Sequence, residues 1–264
     1  MTPPLLQPHW PVPPHVRSAC SLRAGGVSAE PYDALNLGDH VGDDAGAVAT
    51  NRAAYAKALG AKPVYLKQVH GWDVVPLDAL TKDGTVADAC VTAEKSLACT
   101  IMVADCLPVL FCNSDGTLVG AAHAGWRGLC GAGGKGVLEQ IFKHFEHIAR
   151  INTAQSNTKL IANDILVWLG PCIGPSAFEV GAEVREAFVA HDAQAAQHFK
   201  PKSEGKFFAD LSMLARQRLH ALDITQIYGN DGSDAWCTVS NPSQFFSHRR
   251  DRISGRFAAS IWLV

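Results

Sequence analysis

Short apolar runs that favour β-strands follow one another through the middle of this chain with no helical pattern between them. The runs are Val64–Gln68, Asp73–Leu77, Ala98–Ala104, Pro108–Cys112 and Leu118–Ala122. Strands that alternate with helices predict a doubly wound parallel sheet, whereas strands grouped in this way predict an α+β fold with mixed sheets. This grouping is the strongest constraint on the fold.

Helical patterns lie on either side of the strand group. An Ala-rich segment, Ala45–Leu59, follows Asp43 and Asp44, and either aspartate can cap a helix. We predict further helices over Lys135–Ile148, Ala182–Ala196 and Ala209–Leu222. Further strands are predicted over Val16–Arg23, Ile165–Leu169, Gln226–Tyr228 and Arg256–Leu263.

The length and composition predict one globular domain. The chain has 264 residues, of which 47% are hydrophobic and 18% charged, and this excludes a disordered or coiled-coil class. The first fifteen residues are rich in proline and predict an extended arm. We therefore place a single domain at residues 16–264 and the arm at residues 1–15.

Charge and hydropathy exclude several partners. The net charge of −2 does not indicate a nucleic-acid partner. The longest apolar stretch, Leu97–Cys112, is interrupted by Asp105 and is shorter than the roughly 20 residues of a membrane helix. The N-terminus lacks the pattern of a signal peptide, and the eight cysteines form no C-x-x-C pair. We expect a cytoplasmic protein with reduced cysteines and no membrane partner.

The sequence argues against two kinds of site, a dinucleotide site and a multicopper site. Gly131, Gly133 and Gly136 match G-x-G-x-x-G, but no strand directly precedes them and no acid follows about 20 residues later, as a dinucleotide site requires. A multicopper oxidase would bind clustered copper ions through several His-x-His pairs. The 11 histidines here form none, which argues against laccase chemistry.

Three short segments carry residues that can bind a metal. His70 lies in Gln68-Val69-His70, Cys106 in Ala104-Asp105-Cys106-Leu107-Pro108, and His123 in Ala122-His123-Ala124-Gly125. Each residue stands at the end of a short apolar strand. Two imidazoles and one thiolate suit zinc, and three protein ligands leave a fourth position for water or substrate. His70, Cys106 and His123 are therefore the candidate metal ligands.

The same residues allow two other interpretations. Cys106 and His123 could act without metal as a thiolate and its base in acyl transfer at an amide or ester. Alternatively, isolated histidines and cysteines of this kind fill protein cores. Asp105 would point away from Cys106 in a regular strand, so we expect it to support the site from behind.

Polar residues elsewhere are candidates for substrate binding. The run Ser247-His248-Arg249-Arg250-Asp251 precedes Ser254-Gly255-Arg256, and guanidinium groups suit phosphate or ribose hydroxyls. Arg23 and Asn36 lie in a glycine-rich loop that could line a cleft. For each of these segments an ordinary solvated turn is the alternative.

The ordered motifs QVHG, ADCLPVLF, AHAGWRG, GPCIGP and SHRRD followed by SGR resemble those of the YfiH family, also called the laccase-domain or polyphenol oxidase family. The resemblance covers nearly all of the chain after the arm. It implies a three-layer α+β fold with mixed sheets, and zinc ligands at His70, Cys106 and His123, with copper as the alternative metal.

The resemblance also implies an activity. Family members are described as purine nucleoside enzymes that phosphorolyse adenosine, inosine and methylthioadenosine and deaminate adenosine. Some bacterial members are described as peptidoglycan editing factors. The sequence departs from the family pattern at Ser176 and Ala177, where cysteines are usual, and at His248 and Arg252, which replace Tyr and Gly.

Together these observations predict a zinc-dependent purine nucleoside enzyme whose partners are a nucleoside and phosphate. The predicted catalytic residues are Cys106, His123 and Arg250, and the predicted substrate-binding residues are Gln68, Arg249, Arg250, Arg23 and Asn36. Two other functions remain open: an amide hydrolase that edits peptidoglycan precursors with Cys106 as nucleophile, and a metal-binding protein without catalysis.

Overall fold

The computed structural model describes residues 2–152 and 162–264. Its helices are α1 (Ala45–Leu59), α2 (Trp126–Cys130), α3 (Val137–Asn152), α4 (Ala182–His191), α5 (Leu211–His220) and α6 (His248–Asp251). Its first strands are β1 (Leu5–Leu6), β2 (Val16–Ser21), β3 (Lys62–Tyr65), β4 (Val74–Pro76), β5 (Ala89–Thr92), β6 (Leu97–Val103) and β7 (Leu107–Asn113). They are followed by β8 (Val119–Ala124), β9 (Ile165–Leu169), β10 (Glu179–Gly181), β11 (Phe199–Ser203), β12 (Lys206–Ala209), β13 (Gln226–Gly229) and β14 (Phe257–Leu263).

The strands form two large mixed sheets and one small sheet. A five-stranded sheet has the order β1-β2-β14-β6-β3, in which only β3 and β6 run parallel. A six-stranded sheet has the order β13-β9-β7-β8-β5-β4, with parallel pairs at its two edges. The small sheet, β10-β12-β11, is antiparallel. The predicted mixed sheets are therefore confirmed.

Strand β7 shows why the central sequence is continuously apolar. All seven of its residues are buried. Leu110 and Cys112 face the five-stranded sheet, while Val109 and Phe111 face the helices on the other side. A strand that is covered on both faces needs apolar residues at every position, so strict alternation is absent.

Helices cover both outer faces of the sheet pair. Tyr55 and Leu59 of α1 pack on the outer face of the five-stranded sheet, and α2 to α5 pack on the outer face of the six-stranded sheet. This confirms an α+β domain of mixed sheets flanked by helices. The two large sheets stack directly, so the order of the layers is helix, sheet, sheet, helices.

Capping residues set the helix ends. The Asp44 side chain accepts a hydrogen bond from the Ala47 amide at 2.8 Å, and Gly60 ends α1 with φ 66°. These contacts give the predicted Ala45–Leu59 helix. The helix predicted over Ala182–Ala196 ends earlier, at His191, because Asp192 caps a separate 3-10 turn over Ala193–His198.

The proline-rich arm lies on the domain. Residues Leu5 and Leu6 pair with β2, and the Trp10 indole donates a hydrogen bond to Ser18 Oγ at 3.0 Å. In the described part of the chain, no helix is both long enough and apolar enough to cross a bilayer.

Candidate active site

The fold brings the three predicted metal ligands together where the chain crosses from one large sheet to the other. Cys106 lies in the turn between β6 and β7, which belong to different sheets, and His123 lies in β8, beside β7. His70 lies in the loop between β3 and β4. The ligand atoms of the three residues lie within 4.8 Å of one another, and Cys106 Sγ is 3.8 Å from His70 Nε2.

Two site residues have a backbone conformation that side chains rarely adopt. His70 has φ 61° and Asp105 has φ 93°. Such conformations cost free energy and persist only where surrounding contacts hold them. Asp105 accepts hydrogen bonds from Thr238 Oγ1 and from the Arg249 amide, both at 2.6 Å. The expectation that Asp105 supports the site from behind agrees with these contacts.

A carboxylate that the sequence reasoning missed lies behind the histidines. Asp88 is fully buried, and its Oδ1 accepts a hydrogen bond from His123 Nδ1 at 2.8 Å. It also accepts from the amides of Val69, His70 and Gly71. In the sequence Asp88 lies among other polar residues in KDGTVADAC, so no local pattern singles it out.

The buried neighbours shift the protonation of the metal-free site. Burial acts to raise the pKa of the Cys106 thiol, but the charge and hydrogen bonds of His123 and His70 outweigh it and lower the pKa to about 6. Burial acts to lower the pKa of His123, but the Cys106 thiolate and Asp88 raise it to about 9. The metal-free site therefore favours a thiolate beside an imidazolium.

The donor set fits a metal ion. Two imidazole nitrogens and a sulfur with bonds of about 2.0–2.3 Å place tetrahedral zinc ligands about 3.5 Å apart, close to the observed spacing. Because Gly125 has no side chain, there is space for an ion between the ligands. A Cβ added at Gly125 would lie 3.0 Å from Cys106 Sγ and 3.7 Å from His123 Nε2. Three protein ligands leave one position open for water or substrate.

A cavity of about 450 Å³ opens over the triad. This size is within the usual range of small-molecule sites. Its apolar wall includes Met102, Trp126, Ile173, Phe178 and Leu211, and its polar wall includes His40, Gln68, His248, Arg249 and Arg256.

Two arginines face this cavity with part of each guanidinium free. Arg249 Nη1 donates to the carbonyls of Ala177 and Glu179, and Arg256 Nη1 donates to those of Ser254 and Gly255. In the described part of the chain the Nη2 group of each has no hydrogen-bond partner. Arg256 was not among the predicted binding residues, although the S-G-R motif that contains it was recognised as suited to phosphate.

Gln68 reaches the cavity wall, but its amide is already bonded. Its Nε2 donates to the Met102 carbonyl at 2.8 Å, and its Oε1 accepts from the Met102 amide at 2.9 Å. Gln68 thus extends the pairing of β6 beyond β3. A direct role in substrate binding would require it to break these bonds.

Three of the predicted substrate-binding residues, Arg23, Asn36 and Arg250, are not among the residues that line the cavity. Arg250 donates to the carbonyls of Thr238, Val239 and Phe245 and pairs with Asp251. Arg23 is bound to Asp33, and buried Asn36 is bonded to Gly38, Asp43 and the Arg256 amide. These side chains hold loops together, and their polar atoms are already bonded to protein groups.

The geometry defines a class of protein: an α+β domain with a His-Cys-His centre at the base of a cavity that carries arginines. Comparison with known proteins narrows this class. A family model described as multi-copper polyphenol oxidoreductase laccase matches residues 17–264. The chain belongs to this family, and the resemblance of its motifs to those of YfiH proteins is confirmed.

The relatives match over almost their full length. A protein of Shigella flexneri named purine nucleoside phosphorylase YfiH is 47% identical over 262 residues, which are 98% of this chain and 99% of the relative. The purine nucleoside phosphorylase PA4543 of Pseudomonas aeruginosa is 46% identical over 259 residues, 98% of each chain.

Solved structures share the fold. The protein NMB0706 of Neisseria meningitidis superposes with a TM-score of 0.87 at 41% identity, over 98% of both chains. The YfiH protein of Bacillus licheniformis has a TM-score of 0.82 at 27% identity, over 94% of this chain and 93% of that one.

Proposed function

We propose that this protein is a zinc-dependent purine nucleoside phosphorylase that acts on adenosine, inosine and methylthioadenosine. The observation that carries the proposal is one cavity that combines a metal-type triad with two partly free arginines. The names of relatives that are 46–47% identical over nearly the whole chain support the same activity. The donor set favours zinc, because the described residues contain one group with ligand geometry and not the several that clustered copper requires.

The two walls of the cavity suit the two parts of the reaction. Trp126 presents aromatic surface to which a purine can bind by stacking, and the Arg249 guanidinium lies over the Phe178 ring at 5.7 Å from its centroid. Arg249 and Arg256 present N–H donors that suit phosphate oxygens. We assign the purine to the apolar wall and phosphate to the arginines.

In phosphorolysis a phosphate oxygen bonds to the anomeric carbon of the ribose while the bond from that carbon to the purine nitrogen breaks. The electron pair of the broken bond goes to the purine, which takes up a proton. Arg249 and Arg256 hold the phosphate in line with the breaking bond. His40 and His248 are the cavity imidazoles outside the triad. Burial and the charge of Arg256 lower the pKa of His40 and favour its neutral form, so we assign His248 as the candidate for proton donor to the base.

His70, Cys106 and His123 would hold the zinc ion. A bound zinc supplies a fixed positive charge and an open coordination position at the base of the cavity. Asp88 is bonded to His123 and to the loop that carries His70, and Gly125 leaves space beside the triad.

The experiment that tests the proposal incubates purified protein with adenosine, with and without phosphate, and separates the products by chromatography. We expect adenine and ribose 1-phosphate only when phosphate is present. The same assay with inosine and methylthioadenosine tests the range of substrates. Failure to form ribose 1-phosphate from any of the three contradicts the proposal.

We also propose that the same site deaminates adenosine, since the amino group of a purine on the apolar wall can approach the triad. The assay above reports this activity as inosine and ammonia in the absence of phosphate. If a zinc-loaded preparation that phosphorolyses adenosine forms no inosine, this part of the proposal is wrong.

The arginine assignment gives a sharper test. Arg249→Gln and Arg256→Gln each remove charged hydrogen bonds, which contribute about 1.5–3 kcal/mol, so we expect the KM for phosphate to rise about 10- to 100-fold. Arg17→Gln, on the exposed surface of β2, is the matched control and leaves this KM unchanged. Because Arg250 is bonded to carbonyls, Arg250→Gln lowers thermal stability but does not raise the KM of the folded enzyme.

A second candidate function is supported by the order Cys106, His123, Asp88. A thiolate, an imidazole within 4.8 Å of it and a buried carboxylate bonded to that imidazole are the arrangement of a cysteine amide hydrolase. Here Cys106 would attack the amide carbonyl and His123 would protonate the leaving amine. Such an enzyme would release an amine from peptidoglycan precursors without phosphate.

Alkylation separates the two functions. All eight cysteines lie in the described part of the chain, and all but Cys106 are buried. If the protein is a metal-dependent phosphorylase, we expect iodoacetamide to modify Cys106 only after zinc is removed with a chelator. If the protein is an amide hydrolase, we expect iodoacetamide to modify Cys106 in the active protein and to abolish amine release.

A further inference from the structure

Asp88 joins the two histidines of the site through a single carboxylate. It lies just before β5 and is 0% exposed. Oδ1 accepts from the His70 amide at 2.9 Å and from His123 Nδ1 at 2.8 Å. Oδ2 accepts from the Gly71 amide at 2.7 Å and from the Val69 amide at 3.1 Å. Four donors from two remote segments therefore converge on one buried group.

The three amides come from consecutive residues of an exposed loop. Val69 is 52% exposed, so packing does little to fix the loop. His70 has φ 61°, a conformation that needs support from its surroundings. The Asp88 carboxylate provides that support, because three N–H groups can point to one anion only when the backbone turns in this way.

The contact with His123 determines which nitrogen faces the metal position. When His123 is neutral and Nδ1 carries the proton that it donates to Asp88, the lone pair of Nε2 is directed toward Cys106 and the space above Gly125. A metal ligand must offer a lone pair, so this tautomer is the one that can bind.

We propose that Asp88 is a positioning residue that holds both imidazoles of the triad, one through its backbone and one through its ring, in the arrangement that binds metal. The proposal rests on the metal site of the proposed function. In the metal-free protein, His70 and His123 already have the positions that bind metal, and the Asp88 carboxylate holds them there.

Asparagine cannot take over this role. Each carboxylate oxygen of Asp88 accepts two hydrogen bonds, so an NH₂ group at either position faces two donors. If the NH₂ replaces Oδ1, two N–H donors face each other, one on asparagine and one at His123 Nδ1. His123 can then accept from the NH₂ only by moving its proton to Nε2, the position that must face the metal. If it replaces Oδ2, the loop that carries His70 loses two of its three bonds.

The experiment compares Asp88→Asn with Asp78→Asn. Asp78 is a matched control, since its carboxylate also accepts an amide and a hydroxyl, from Leu80 and Thr81, in an exposed turn. Zinc affinity is measured by competition with a chromophoric chelator, and cobalt is used to record the absorption of the thiolate–metal bond. We expect Asp88→Asn to bind zinc about 10- to 100-fold more weakly and to change the cobalt spectrum, while Asp78→Asn matches the wild type.

Zinc binding by the wild type is measured first, with Cys106→Ser as the reference. If Cys106→Ser does not weaken zinc binding, the metal site of the proposed function is wrong, and this inference falls with it. If the wild type binds zinc through Cys106 and folded Asp88→Asn binds within threefold of it, only the positioning role is wrong.

A measurement on the wild type covers the case in which Asp88→Asn does not fold. Hydrogen exchange is recorded at the amides of Val69, His70 and Gly71 in zinc-free protein. A site arranged by Asp88 gives exchange at least about 100-fold slower than in an unstructured chain, despite the exposure of the loop. Exchange at the unstructured rate without zinc, with protection only after zinc is added, would overturn the inference.

Discussion

Gly125 shows how one missing side chain makes room for the triad. It lies between His123 and α2, with φ −66° and ψ 157°, so its backbone does not require glycine. Glycine is needed because a Cβ would lie 3.0 Å from both Cys106 Sγ and His70 Cδ2. The constraint is therefore space at the metal position.

We predict that Gly125→Ala weakens zinc binding by about tenfold, comparable to loss of a partner of a metal ligand. The melting temperature of the zinc-free protein stays within a few degrees, because the backbone conformation suits alanine. Chelator competition and thermal unfolding measure the two effects. Gly46→Ala in α1 is the control. If Gly125→Ala binds zinc with wild-type affinity, the space beside Gly125 is not needed for the ion.

Neighbouring arginines show the limit of residue-level prediction. Arg249 and Arg250 are adjacent, and the prediction assigned both to substrate. Successive residues of a helix point about 100° apart, so Arg249 and Arg250 leave α6 in different directions. Arg249 reaches the cavity and Arg250 binds carbonyls behind it. The sequence alone does not say which of the two faces inward.

At the scale of elements, the turn between β6 and β7 organises the loops around the cavity. Asp105 in this turn accepts from Thr238 Oγ1 and from the Arg249 amide at the start of α6. Its carbonyl accepts from the Ile173 amide at 2.9 Å. One turn therefore links three segments that are remote in sequence, and it places Arg249 on the cavity wall.

We predict that Asp105→Ala raises the KM for phosphate about tenfold, because α6 loses the group that positions Arg249. Asp105→Asn restores most of the wild-type value. Its carbonyl oxygen can still accept from Arg249, and its NH₂ can donate to the Thr238 hydroxyl. Steady-state kinetics at varied phosphate measure the difference. Equal KM values for Asp105→Ala and the wild type would exclude this linkage.

The elements with continuous apolar sequence were predicted well, and the small sheet was missed. Strand β9 and helix α1 have the predicted bounds, β14 differs by one residue at its start, and β6 and β7 differ by one residue at each end. Strand β11, Phe199–Ser203, has four exposed residues out of five and contains a proline and two lysines. An exposed strand has no hydrophobic pattern, so only its pairing with β12 identifies it.

At the scale of the whole molecule, the interior between the two large sheets is one of the main hydrophobic cores. Leu110, Trp168 and Phe257 are fully buried there and come from three strands of the two sheets. Because the triad lies where the chain crosses between these sheets, the relative position of the sheets also sets the position of the metal ligands.

We predict that Leu110→Ala lowers the free energy of unfolding by about 2–5 kcal/mol, through lost burial and a cavity between the sheets. Leu80→Ala, the same change at a side chain that is 83% exposed, alters it by less than about 0.5 kcal/mol. Urea denaturation measures both variants. Similar losses in the two variants would mean that burial between the sheets does not stabilise the fold.

The sequence by itself determined the fold class, the family and the three residue types of the centre. Apolar runs and short ordered motifs are local, and the chemistry of two imidazoles and a thiolate does not depend on their surroundings. Only the tertiary structure decided which groups converge. It brought Asp88 behind both histidines, directed Arg249 and Arg256 into the cavity, and used Arg23, Asn36 and Arg250 to hold loops. The physical reason is that a polar side chain has one set of hydrogen bonds, and packing between remote segments determines whether these go to the protein or to a ligand.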